Sequence, residues 1–137
     1  MNYKESKEQQ ALFTWAKLNE NKIPQLKLMF HIPNGGKRNA REAARLKREG
    51  VKAGVPDIFL PVSQVNKINN MMSIYNGLFI EMKINKNKPT KNQKKWIDAL
   101  TAYGYKVEIC YSWIEAANII CDYLGIKRDA KEWDWEV

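Results

Sequence analysis

Two short apolar runs carry charged residues, and nothing else in the sequence constrains the fold so tightly. Asp57 leads directly into Ile58-Phe59-Leu60, while Glu81 and Lys83 sit inside Leu78-Phe79-Ile80-Glu81-Met82-Lys83-Ile84. A charge removed from water costs on the order of several kcal/mol unless a partner or an ion compensates it. Read as strands, at 55–62 and 78–84, the runs place Glu81 and Lys83 on one face and Ile80, Met82 and Ile84 on the other. An antiparallel return between the two strands brings Asp57 and Glu81 together near one end of the pair.

The chain has 137 residues, 45% apolar and 28% charged, which is enough for one core and typical of a globular domain. The whole length, 1–137, is read as one domain with a short tail at 126–137 that mixes Trp133 and Trp135 with acids. No stretch approaches the ~18 apolar residues of a membrane span, and the N-terminus lacks a signal-peptide core, so a cytoplasmic location is expected. Twenty-three Lys and Arg oppose fifteen Asp and Glu. The net charge of +8 points to a polyanionic partner, nucleic acid ahead of a membrane surface, with solubility alone as the plainer explanation. Cys110, Cys121 and the single histidine, His31, are too few for the usual tetrahedral zinc set. Both cysteines read as small buried apolar residues, and His31 as structural rather than as a base. Any metal must then be oxygen-ligated, which favours Mg²⁺ or Mn²⁺.

Hydrophobic spacing predicts an amphipathic helix over 5–20, a strand over 26–32, and a helix over 39–49 stopped by Gly50. The strand over 55–62 follows. Residues 63–76, polar and Asn-rich, are expected to form a long mobile connection. After the strand over 78–84 come a helix over 91–103 capped by Thr90, a strand over 105–111 and a helix from Ser112 to Leu124. The order is α-β-α-β-β-α-β-α. On periodicity alone this is α/β with a mixed sheet flanked by helices.

Phosphodiester hydrolysis requires an activated water, a Lewis acid on the phosphoryl oxygen and help for the leaving oxygen. Asp57 and Glu81 are candidate ligands of a hard divalent cation, with the backbone carbonyl of Met82 as a third. Lys83 could orient the attacking water and stabilise developing negative charge. A plain ion pair at a sheet end is the simpler reading, but it leaves the polar interruption of two core strands unexplained.

Pro56-Asp57 followed by Glu81-x-Lys83 resembles the PD-(D/E)xK nuclease signature. Glu5-Ser6-x-x-Gln9, His31-Ile32-Pro33-Asn34-Gly35-Gly36-x-Arg38, Gly50-Val51-x-x-Gly54-Val55-Pro56-Asp57 and Gln93 make the chain similar to the VRR-NUC branch, from about Glu5 to Tyr123. It resembles the minimal stand-alone form carried by phages and bacteria. The resemblance implies a restriction-endonuclease-like αβββαβ core, a metal shell completed by a first-helix acid (Glu5, with Glu8 competing), and a glutamine, Gln93, that helps hold the site. It also implies a structure-selective DNA nuclease, with dimeric Holliday-junction resolvases among its small relatives.

Arg38, Arg41, Arg45 and Arg48 follow one another at spacings of three, four and three, a ladder suited to consecutive phosphates, with Glu42 and Glu49 read as off that line. Asn34, in the turn that leads into this helix, is counted with the nucleic-acid-binding candidates. Lys83, Lys86, Lys88, Lys91, Lys94 and Lys95 lie in a stretch without an acid. Each run alone would pass for a solvated face, but together they flank both motif segments, as a basic cleft would. Such contacts grip phosphates without reading bases, so recognition of DNA shape is expected.

The leading expectation is a Mg²⁺- or Mn²⁺-dependent endonuclease on branched DNA, a four-way junction above all, working as a homodimer because one site cuts one strand. The same chemistry on flaps, single strands or duplex is the alternative. A non-catalytic nucleic-acid-binding module is the alternative of another class, but it has no use for a buried carboxylate pair.

Overall fold

A computed structural model describes residues 2–34 and 39–127. Helix α1 (Tyr3–Asn19) starts at Asn2, whose side chain accepts from the Glu5 N–H. A 3₁₀ turn over Pro24–Leu28 leads to the two-residue strand β1 (Phe30–His31), and then comes α2 (Ala40–Arg48). Strand β2 (Ile58–Leu60) is followed by β3 (Gln64–Ile68), β4 (Met71–Tyr75) and β5 (Leu78–Met82). Helix α3 (Lys91–Ala102), strand β6 (Lys106–Cys110) and helix α4 (Trp113–Leu124) complete the order.

The main sheet runs β1-β2-β5-β6, antiparallel except for the parallel β5–β6 pair. Taken as α1, β1, β2, β5, α3, β6, this is the expected αβββαβ core. Helix α2 is inserted after β1, the β3–β4 hairpin after β2, and α4 is appended. One face of the sheet supplies Ile58, Leu60, Leu78, Ile80, Met82 and Cys110 to the core, beneath Leu12 and Trp15 of α1 and Ala116 and Ile120 of α4. On the other face Phe59 pairs with Phe79, their ring centroids 4.2 Å apart, with Tyr105 edge-on to both. Cys110 and Cys121 are buried thiols, as expected from their apolar surroundings.

Three expectations are corrected. The strand over 26–32 is a 3₁₀ turn and a short strand. Pro24 fixes φ for a helical start, and burial falls on Leu26 and Met29, three apart, while Leu28 and Phe30 are exposed. The strand over 55–62 shrinks to 58–60, bracketed by Pro56 and Pro61, neither of which can donate to a ladder. The connection over 63–76 is a regular hairpin, pairing Gln64 with Tyr75 through to Ile68 with Met71. Asn69 and Asn70 turn it with φ of 51° and 63°. Asparagine is among the few side chains that tolerate this left-handed pair, which the right-handed twist of a two-residue hairpin requires. The apolar last helix is core: Trp113, Ile120, Tyr123 and Leu124 are buried and Ile119 packs against them. Trp133 and Trp135 lie outside the described residues.

Candidate active site

The β2–β5 register builds the site. Ile58 faces Ile80 and Leu60 faces Leu78, so one further step sets Asp57 opposite Glu81 on the same face. Asp57, Glu81 and Lys83 are the buried charged residues among those described, exposed by 7%, 3% and 9%. The Met82 N–H donates to Asp57 Oδ2 at 2.8 Å, while the Met82 side chain goes down into the core. Lys83 continues the parallel pairing beyond β5, its N–H donating to the Cys110 carbonyl.

Two elements hold the carboxylates in place. The carbonyl of Asp57 accepts from the Ile32 N–H at 2.7 Å and from His31 Nδ1 at 2.8 Å, which ties the strand start to β1 and gives His31 a structural part. On the other side Gln93 Nε2 donates to Glu81 Oε1 at 2.8 Å. Gln93 is also the third residue of α3, and its side chain closes a reciprocal capping box with Thr90. The helix start and the carboxylate are therefore fixed by one side chain.

Electrostatically the site is short of positive charge. Burial, then the neighbouring Asp57 charge, push Glu81 up to about 8, against the pull of Lys83. Burial is also the main reason that Asp57 is raised, with the Met82 N–H and His31 opposing it. Two carboxyl groups this close in a buried site make the second charge costly, a further reason that Glu81 is raised. Glu5 contributes to raising both, which puts the first-helix acid within electrostatic reach of the pair. Glu8 instead lines a shallow groove with Lys4, Lys7, Ile84, Asn85 and Tyr111.

This donor set suits a hard cation. No three His, Cys, Asp or Glu side chains among the described residues form a complete ligand cluster. Two carboxylates with a backbone carbonyl, leaving room for water and a phosphate oxygen, is the way Mg²⁺ is commonly held.

The basic runs are exposed. Helix α2 buries no residue, and Arg41, Arg45 and Arg48 all face solvent. Contrary to the expectation, Glu49 is not off the arginine line: its carboxylate pairs with Arg45 at 3.1 Å, as i,i+4 spacing allows. Arg38 lies outside the described residues. Lys86, Lys88, Lys91, Lys94 and Lys95 are exposed. The Asn34 side-chain amide donates to the Val55 carbonyl, fixing the approach to Asp57. Sequence reasoning passed over Trp96, which walls a groove against the segment leading into Asp57. Its signal was a position one helical turn beyond Gln93.

Comparison with known proteins gives the family and the fold. Residues 3–113 match the model of the VRR-NUC domain family. A solved structure described as a VRR_NUC domain protein is similar with a TM-score of 0.70 at 27% identity, covering 90% of this chain and 89% of that one. No curated protein gives a match. With the αβββαβ sheet, the facing carboxylates and the family match over most of its length, the chain belongs to the VRR-NUC family of nuclease domains.

Proposed function

We infer that this chain is a divalent-metal-dependent endodeoxyribonuclease that selects branched DNA, a four-way junction above all. The observation that carries the reading is the placement of Asp57 opposite Glu81, with Lys83 two residues along the same strand face, all three buried. When bound, Mg²⁺ or Mn²⁺ supplies Lewis acidity at the phosphate and acidifies a water. Asp57, Glu81 and the Met82 carbonyl would hold that ion, with Glu5 adding negative charge from α1. The protein's own contributions are positional and electrostatic. Gln93 keeps Glu81 aimed, the Met82 N–H keeps Asp57 aimed, and the Lys83 ammonium faces the developing negative charge.

Binding falls to Arg41, Arg45 and Arg48 on one flank and to Lys86, Lys88 and Lys91 on the other; Arg38, expected with the first group, lies outside the described residues. These are phosphate-gripping side chains and, among the described residues, no base-reading helix accompanies them, which favours shape over sequence. Symmetric cutting of a junction requires two sites related by a two-fold axis, hence a homodimer.

The test is cleavage of an immobile four-way junction beside linear duplex, flap and single strand in Mg²⁺ or Mn²⁺, with Lys83→Ala as control. Paired, Lys83-dependent nicks in the junction are the expected result, with a dimer by light scattering. Lys83-dependent cutting confined to flaps or single strands would remove the junction and keep the nuclease. Absence of any metal-dependent cutting would leave a DNA-binding module.

A further inference from the structure

Against the segment that leads into Asp57, and unused by the chemistry above, lies a groove of about 380 Å³. Ile32, Pro33, Val51, Val55 and Trp96 form its apolar lining, joined by the exposed Lys52. The volume lies in the ~300–1,000 Å³ range of sites that take small organic groups. Its acid, Glu49, is engaged by Arg45.

The segments that line the groove are tied to the site. Ile32 donates its N–H to the Asp57 carbonyl, Val55 precedes Asp57 by two residues, and Trp96 stands one turn beyond the glutamine that holds Glu81. Its walls are fixed. The Asn34 amide binds the Val55 carbonyl, and Gly54, at φ +91°, lets the loop press onto α3 so closely that a Cβ would lie 2.8 Å from the Asn92 backbone. Only glycine fits both that angle and that approach.

Charge identifies the occupant. The groove opens past the end of α2, which carries exposed Lys47 and Arg48, and exposed Lys52 stands on its rim, while α3, which supplies Trp96, carries exposed Lys91, Lys94 and Lys95 on its other sides. An apolar slot with an indole, set among cations that grip phosphates, has the chemistry that stacks a nucleobase of a bound strand.

We propose that this groove seats one base displaced from the helical stack beside the scissile phosphate, with Trp96 as its stacking surface. The proposal rests on the nuclease reading above and deepens it. Displacing a base costs least where it has lost its partner, so the groove favours branch points and unpaired flanks over intact duplex. Every base has a π face, so it does so without sequence preference.

The test uses a flapped duplex and a four-way junction carrying, at successive positions around the mapped cut, either the natural base or an abasic site. Wild type, Trp96→Ala, Trp96→Phe and Trp96→Leu are compared by kcat/KM in Mg²⁺, with melting curves as the control for folding. At one position flanking the cut, an abasic site should slow wild type about 5- to 100-fold. Trp96→Ala should be slowed by a similar factor on the natural base and lose all distinction between base and abasic site. Trp96→Phe should recover the distinction. Trp96→Leu should melt like wild type and still lack it. A base-to-abasic ratio in Trp96→Ala equal to that of wild type, or no position at which wild type distinguishes the two, overturns the groove while Lys83-dependent cutting keeps the nuclease. Absence of Lys83-dependent cutting by wild type removes the nuclease reading and the groove with it.

Discussion

The two ends of the β2–β5 pair invert the usual distribution of residues. At one end Asp57, Glu81 and Lys83 are buried. At the other the β3–β4 hairpin holds Val65, Met71, Met72 and Ile74 at 55–76% exposure. The hairpin is a separate two-stranded sheet joined to the same pair, and the contrast shows that hydrophobicity alone does not decide where a side chain goes. At the buried end the facing register forces two acids together, and burial makes each of them costly to ionise. At the hairpin end Val65 and Ile74 pair across the ladder on its outer face, and the root is held instead by Tyr75 against Tyr123 and by the Tyr123 hydroxyl donating to the Val62 carbonyl. One end buries charge at a cost in stability, and the other owes its fold to turn geometry and a few root contacts.

The largest effect that would sharpen this contrast is loss of cutting. Lys83→Ala and Asp57→Ala should each lower kcat by at least about a hundredfold while DNA affinity, by fluorescence anisotropy, stays near wild type. Retained cleavage by either purified variant would break the assignment of the buried end.

Next comes stability in metal-free buffer. The Glu81 carboxyl is raised from 4.5 to about 8, so the folded state binds more protons than the unfolded chain between those values. Its stabilising protonation is fully present below pH 4.5 and is lost as pH rises through 8. Glu81→Gln should therefore leave stability unchanged near pH 4 and raise it by on the order of 2 kcal/mol near pH 9. Urea melts at the two pH values would show it. Equal shifts at both would mean that packing, not charge, sets the cost.

A smaller effect is expected on the flank. Arg41→Ala with Arg48→Ala should weaken binding to all DNA shapes alike and reduce the slope of log K against log salt by about two. A slope equal to that of wild type would remove α2 from the interface. The smallest effect belongs to the hairpin. Ile74→Thr exchanges an exposed β-branched residue for another and should change stability by no more than ~0.5 kcal/mol in urea melts. A much larger loss would show that the exposed ladder face is packed in the native protein.

The buried end was legible because its rule is local and strict. A strand alternates faces, so Glu81 and Lys83 had to share one, and two apolar runs in sequence order paired antiparallel. The glutamine was legible only through the family's pattern. Its role in closing the capping box with Thr90 while holding Glu81 depends on where α3 begins relative to β5. The hairpin was misread because its polar composition hid a two-residue turn that asparagine can make without glycine. Arg45 and Glu49 were separated by counting the arginines alone, although the same helical spacing joins them.

What the amino-acid sequence determined by itself, then, is what short-range periodicity and burial cost dictate: an α/β chain, two strands interrupted by charge, and the residue types that a hard cation and a phosphate require. The tertiary structure decided what depends on distant segments meeting. It set the register that puts Asp57 opposite Glu81, the approach of Gly54 to Asn92 and the groove that Trp96 walls. Those are distances between residues far apart in the chain, and no local pattern encodes them. They are fixed only when the sheet closes and α3 packs beside it.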